Sequence, residues 1–390
     1  MNTARRESLN PDIPSLPARL GLDAIIAMSP ENFAYVSGAH IITVGLIRAR
    51  QAFAVIPKKG APELIVCKIE RAHAESESWI QNLNTYIEFE DNPIDVLVQT
   101  LKKLGLARAT IGMDNDYLPV SSHERLMHSL PELKLVNTTE DLAAIRAIKS
   151  QAELDILEKA EKATHRAVLE AMQASKLGDT EREMSNKIAD GILRYGADGL
   201  RHMVFASGER TRIAHAMPTD RVPRESELIR FDVGGAYGFF SSDFARTYSA
   251  GNATRLQRDT YAALQKVHTA LIDGIRPGML GEDVFFLSRD EFKKQGLKFH
   301  MPHVGHSFGI EAHERPMMRP GEKLPLRAGM AINIEPNVFD ELNDFYHVED
   351  LVEVTEQGAR VLSLELAPAE LPVIGNGTRS RAIEIDVDSR

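Results

Sequence analysis

Residues 228–235 read LIRFDVGG and residues 238–248 read GFFSSDFARTY. Both are apolar runs bounded by turn residues, which predicts two strands that pair. Each is broken by an aspartate, Asp232 in the first and Asp243 in the second. A carboxylate inside a buried strand is costly to desolvate unless it meets a cation or another partner. The same interruption recurs further along. Glu335 closes the apolar run GMAINIE, Glu349 sits in YHVEDLVEV, and His306 lies in PHVGHSFGIEAHE. Several such interruptions in one domain point to a shared partner. Four carboxylates and one imidazole suit two divalent ions held about 3–4 Å apart, which need several oxygen ligands, a bridging one among them, and usually a nitrogen ligand.

The rest of the chain sets bounds on this reading. At 390 residues it is long enough for two domains with separate cores. A hydrophobic content of 43% and a charged content of 26% are those of a globular protein. The net charge of −10 offers no basic stripe for nucleic acid, so no nucleic-acid partner is expected. No apolar run reaches the roughly 18 residues of a membrane span, so no membrane role is expected. The opening MNTARRESLNPDIPSLPARLGL lacks the apolar centre of a signal peptide. Cys67 is the single cysteine, which excludes an internal disulfide and fits a reducing compartment. The expected location is the cytoplasm. Cys67 lies outside the ligand blocks and is expected to be a small buried residue.

Four segments are expected along the chain. Residues 1–18 are polar and proline-containing, an N-terminal arm. From 19 to 140, strand-like runs at 22–28, 51–57, 63–67 and 109–114 alternate with a helical pattern at 93–106, an α/β layer without a chemical motif. From 141 to 374, a helix from about 149 to 175 is capped by Ser150 with Glu153 at the matching position. A second helix at 182–196 ends at Gly196. Strand-rich sequence, helices at 254–275 and 281–295, and the remaining ligand strands follow. Residues 375–390 read as a loose tail.

FDVGG, an aspartate eleven residues on, GHSFGIEAHE, NIEP and VEDLVEVTEQG, in that order, resemble the pita-bread metallopeptidase superfamily, in its branch of Xaa-Pro aminopeptidases, prolidases and creatinase. LAAIRAIKSQAELDILEKA (142–160) is similar to the helix that opens that family's catalytic domain. The resemblance covers most of the chain and implies an α/β N-terminal creatinase-like domain followed by an α+β pita-bread catalytic domain. It implies that Asp232, Asp243, His306, Glu335 and Glu349 hold two divalent metal ions, Mn, Co, Fe or Zn. It gives Glu335 a second task, moving a proton from the attacking water to the leaving nitrogen. It matches His313 to a histidine that contacts substrate or the developing oxyanion, and His215 to one that lines the pocket. His303 is a further candidate for substrate, whereas His300 is expected to be structural or exposed. Relatives use the N-terminal domain across a subunit interface, so a homodimer is expected.

Three departures bear on specificity. Xaa-Pro-cleaving relatives carry arginine two residues before the last glutamate, where this chain has His347. Arginine clamps a carboxylate bidentately at any working pH, and histidine does neither reliably. GHGIG also becomes GHSFG, and IEPG becomes IEPN with Asn337. The expected function is therefore a metal-dependent hydrolase of amide or peptide C–N bonds, most like an Xaa-Pro peptidase. Its substrate is a short peptide or a small molecule. The alternative is a non-peptide hydrolase of the ectoine hydrolase or creatinase kind, or a lyase on the same fold.

Overall fold

The computed structural model describes residues 10–374. The tail expected at 375–390 and the first nine residues of the expected arm lie outside the described residues. The chain divides into two units at Arg146 and Ala147. The sequence placed this division near 140, but the helix Thr139–Ala147 runs through that point.

In the first unit, strands β1 (Ala24–Ala27), β2 (Phe53–Pro57), β3 (Glu63–Cys67), β4 (Asn82–Tyr86), β5 (Thr110–Met113) and β6 (Lys134–Asn137) form one sheet. Its order is β4-β3-β2-β1-β5-β6. The middle strands AIIA, FAVIP and ELIVC are buried at every position, as near-continuous apolar runs require. The edge strands NLNTY and KLVN are largely polar and half-exposed, which is why hydrophobic pattern alone missed them. Helix Pro93–Lys103 starts where the Asn92 side chain accepts from the Ile94 N–H, with proline at its first turn. It buries Ile94, Leu97, Val98 and Leu101 against the sheet's core. Cys67 is buried and free, as expected. Within the stretch expected to be an arm, Ile13 and Leu16 lie on short helical turns and are buried, so its described part packs rather than trails.

In the second unit, helix Gln151–Ala174 begins at the expected capping box: Ser150 accepts from the Glu153 N–H while Glu153 reaches back to Ser150. The single opening helix suggested over 142–160 is in fact two. The chain leaves the helical path at Ile148, which bridges Met330, and the Lys149 N–H donates to Gly329 O. Helix Glu181–Arg194 is capped by Thr180 and Glu183 and is followed by Gly196 at φ +98°.

Strands β7 (Gly199–Ser207), β8 (Leu228–Tyr237), β9 (Phe240–Ser241) and β10 (Phe244–Ala250) come next, then helices Arg255–Gly274 and Gly281–Lys294. Strands β11 (Gly305–Ser307), β12 (Glu314–Met317), β13 (Ala331–Ile334), β14 (Asn337–Phe339), β15 (Phe345–His347), β16 (Asp350–Val354), β17 (Ala359–Val361) and β18 (Val373–Ile374) complete the unit. One sheet runs β18-β10-β8-β7, with β9 paired to β8, and the other runs β12-β11-β13-β16-β17. The first packs Phe205, Phe231 and Phe244 against Ala167, Val168, Ile188 and Ile192 of the first two helices. The second packs Ile332, Ile334, Val352 and Val354 with Leu264, Leu271, Val284 and Phe292 of the later pair. The two expected strands do pair, but the second, expected as one run through Asp243, is split into β9 and β10 with Asp243 between them, both antiparallel to β8.

Candidate metal centre

Each of the five expected ligands stands on or beside a strand of the two sheets. Asp232 is within β8, opposite Ala245, and Asp243 immediately precedes β10. His306 is in the middle of β11, paired with Asn333 of β13, and Glu335 follows the end of β13. Glu349 lies between β15 and β16. Thr247 on β10 fixes this last segment: its hydroxyl donates to His347 O and accepts from His347 N–H, both at 2.9 Å. The neighbouring Arg246 donates to Glu349 O and, at 2.7 Å, to the Asp350 carboxylate. Strand pairing thus carries residues more than 100 positions apart in sequence to one place.

The side chains converge. Donor atoms of Asp243, His306 and Glu349 lie within 4.8 Å of one another, as do those of Asp232, His347 and Glu349. Glu335 Oε1 is 3.5 Å from His306 Nε2, and Glu335 Oε2 is 3.6 Å from His347 Nε2. A third triad joins Asp232 and Asp243 to His202. His202 Nε2 is 2.7 Å from Asp232 Oδ1 and 3.3 Å from Asp243 Oδ1.

The electrostatics are those of anions crowded out of water. Burial raises Glu349 well above the usual carboxylate range, and the charges of Asp243, Glu335, Asp232 and Glu161 raise it further. Burial likewise raises Asp243, although His202 works against it. Burial also works to raise Asp232 and Glu335, but the imidazoles beside them win. His202 holds Asp232 low, and His303, His347 and His306 hold Glu335 well below the usual range. Burial lowers His202, yet its two aspartates carry it up to about 10. Glu161, from helix Gln151–Ala174, accepts from the Asp243 N–H at 2.7 Å and fixes that backbone. Glu161 Oε2 and both ring nitrogens of His347 are buried without a hydrogen-bond partner. Orphaned buried donors and acceptors are rare in native folds. Four carboxylates with imidazole nitrogen among them are the donor set of a divalent metal site, hard oxygens with borderline nitrogens. These residues fit such ions.

The remaining candidates divide. His303 Nδ1 comes within 3.2 Å of Glu335 Oε1, and Glu335 raises its pKa. The His313 ring stacks on His306, with centroids 4.1 Å apart and planes at 23°. Burial lowers the His313 pKa, and the charge of His306 adds to this. His347 is buried beside Glu335. His215 is exposed on the loop after β7 and makes no described hydrogen bond or ion pair with the cluster. Arg230 ties that loop to β8 by donating to Ile213 O and Ala214 O. His300 is exposed, its ring 5.0 Å from that of Phe339. Sequence reading missed His202. Its only signal was a histidine in the strand-like HMVFAS, which carries no motif.

Comparison with known proteins accords with this geometry. The family model for the Creatinase/Prolidase N-terminal domain matches residues 15–148. A probable dipeptidase PepE from Mycobacterium bovis is 28% identical over 367 residues, covering 92% of this chain and 93% of its own. An Xaa-Pro dipeptidase from Pyrococcus furiosus is 26% identical over 346 residues, covering 88% and 93% respectively. The crystal structure of dipeptidase PepE from Mycobacterium ulcerans is 28% identical and superimposes with a TM-score of 0.82, covering 95% of this chain and 97% of that one. The model for metallopeptidase family M24 matches residues 155–356, the span that holds all five expected ligands. The chain belongs to metallopeptidase family M24, with a creatinase-type N-terminal domain.

Proposed function

We propose that this chain is a cytoplasmic, homodimeric peptidase that binds two divalent ions, of manganese, cobalt, iron or zinc, and cleaves the bond before proline in short peptides. The observation that carries it is the convergence of Asp232, Asp243, His306, Glu335 and Glu349, whose buried carboxylates raise one another's cost of ionisation. The dipeptidase relatives support the substrate class. Bound ions would polarise the scissile carbonyl and acidify the attacking water.

The chain's own residues supply the rest. Glu335, held as a carboxylate by His303 and His347, takes the proton from the attacking water and delivers it to the leaving nitrogen. His313, with its pKa lowered, stays neutral near pH 7 and donates a hydrogen bond toward the carbonyl oxygen. His303 and His347 bound the substrate side of Glu335, and His215 reaches substrate from its exposed loop. His347 stands where relatives keep arginine and lies 3.6 Å from Glu335. A dipeptide's free carboxylate therefore lacks a permanent bidentate partner. That favours substrates whose far end is not a carboxylate, whether longer Xaa-Pro peptides or small non-peptide amides.

The test is turnover by the chelated and the metal-reloaded enzyme across Xaa-Pro dipeptides, longer Xaa-Pro peptides, creatine and ectoine. Metal-dependent cleavage of longer peptides, about 10- to 100-fold above dipeptides, is expected. Equal turnover with and without metal would remove the reading. Turnover of creatine or ectoine alone would replace the substrate class.

A further inference from the structure

β7 carries a β-bulge between Leu200 and His202, which sets His202 directly opposite Gly234 on β8. On the other side of β8, Val233 pairs with Phe244, the residue after Asp243. His202 and Asp243 therefore flank the same glycine, on the face that also carries Asp232. A Cβ on Gly234 would come within 2.7 Å of His202 Cε1 and 2.0 Å of Ser242 O. The missing side chain is what lets the imidazole reach across the strand.

Where it arrives, Nε2 lies 2.7 Å from Asp232 and 3.3 Å from Asp243. The 2.7 Å separation is a hydrogen bond, while donors sharing one ion at about 2.1 Å stand roughly 3–3.4 Å apart, as His202 and Asp243 do, and the ligand atoms of all three residues lie within 4.8 Å of one another. A second observation points the same way. His347, with a ligand atom within 4.8 Å of Asp232 and Glu349, is 4% exposed, and neither of its nitrogens has a hydrogen-bond partner. Asp232 thus has two imidazoles within reach, His202 and His347, an environment richer in nitrogen than its carboxylates alone provide.

We propose that His202 is an additional metal ligand, binding through Nε2 the ion that Asp232 and Asp243 share. The inference rests on the metal-centre reading above. Nitrogen donors favour zinc and cobalt over manganese, which prefers oxygen. His202 therefore biases this centre toward the softer ions. Its side chain is 30% exposed, so replacing it opens no core cavity.

The experiment compares the full-length wild type with His202→Asn and His202→Ala, each checked for fold by circular dichroism. Affinity for Zn²⁺, Co²⁺ and Mn²⁺ is measured by competition with a chelating dye, and the visible absorption of the Co²⁺ form is recorded. Both variants are expected to lose at least about tenfold in Zn²⁺ and Co²⁺ affinity. Mn²⁺ affinity should change less, and the Co²⁺ bands should shift in position and intensity. A histidine that merely donates a hydrogen bond to the aspartates leaves those bands where they are. Unchanged Co²⁺ bands in the variants, whatever the affinities, with metal bound by the wild type, overturn this inference and leave the metal centre standing. A wild type that binds none of the three ions overturns both.

Discussion

Asp114 in the first unit and Glu349 in the second are both buried carboxylates, 1% and 2% exposed, yet their surroundings are opposites. Asp114 accepts from the Met28 N–H at 2.9 Å, the Ser29 N–H at 2.7 Å and the Asn32 side-chain amide at 3.1 Å. Those bonds offset much of what burial does to raise it. Glu349 faces Asp243, Glu335, Asp232 and Glu161, which add to the effect of burial. Its sequence neighbour Asp350 shows the contrast at one residue's remove: burial works to raise it, but Arg246, His268 and Ser363 hold it low. A carboxylate supplied with donors is scaffold. One supplied mainly with other carboxylates has its partner outside the protein.

Three measurements would break or sharpen this contrast. The largest effect is expected for Glu335→Gln, which keeps the shape of the side chain and removes its basicity. Turnover should fall at least about 10²-fold, with a much smaller change in KM. Elemental analysis of the variant separates the two roles: retained metal with lost turnover assigns the proton transfer to Glu335, and near-full turnover sinks that assignment.

The second compares chemical denaturation of two variants, both free of metal. Asp114→Ala leaves backbone N–H groups buried without an acceptor and should cost about 2–4 kcal/mol. Glu349→Gln removes one of several mutually repelling charges and should stabilise the chain by roughly 1 kcal/mol. Destabilisation of similar size in both would mean that Glu349 is scaffold after all.

The smallest concerns Asp179, whose carboxylate is 2.5 Å from Lys187 Nζ at the partly exposed entry to helix Glu181–Arg194. Burial works to raise it, but Lys187 and the Lys176 N–H hold it below its ordinary value. A lowered folded-state pKa adds stability above the ordinary carboxylate range, and that stability is lost as pH falls through the lowered value. Asp179→Asn should therefore cost about 0.5–1 kcal/mol at pH 7, and the gap to wild type should close below about pH 4. A gap that widens in acid would show that the ion pair is not its source.

The buried strands of the first unit were legible because AIIA, FAVIP and ELIVC are apolar at successive positions. One helix start was legible because Ser150 with Glu153 is a local device that works through bonds within one turn. The ligand blocks were legible because a carboxylate in an apolar run is conspicuous. The edge strands β4 and β6 were not, since half-exposed polar strands have no periodicity to read. The Ser150 cap marked the start of the second helix, but the separate helix before it was not legible, because the bridge that ends it joins Ile148 to Met330, 182 positions away in sequence.

His202 marks the border between the two kinds of information. The sequence alone determined the elements, the caps and the five carboxylate and histidine interruptions, because each depends on neighbours within a few residues. Tertiary structure alone decided that a bulge in β7 puts His202 opposite Gly234, that Asp232 and Asp243 lie within reach of its ring, and that Glu349 is left facing other carboxylates while Asp350 takes Arg246. Register, bulges and the sharing of cations among anions depend on strands distant in the chain, and a strand's own residues do not say which neighbour it will meet.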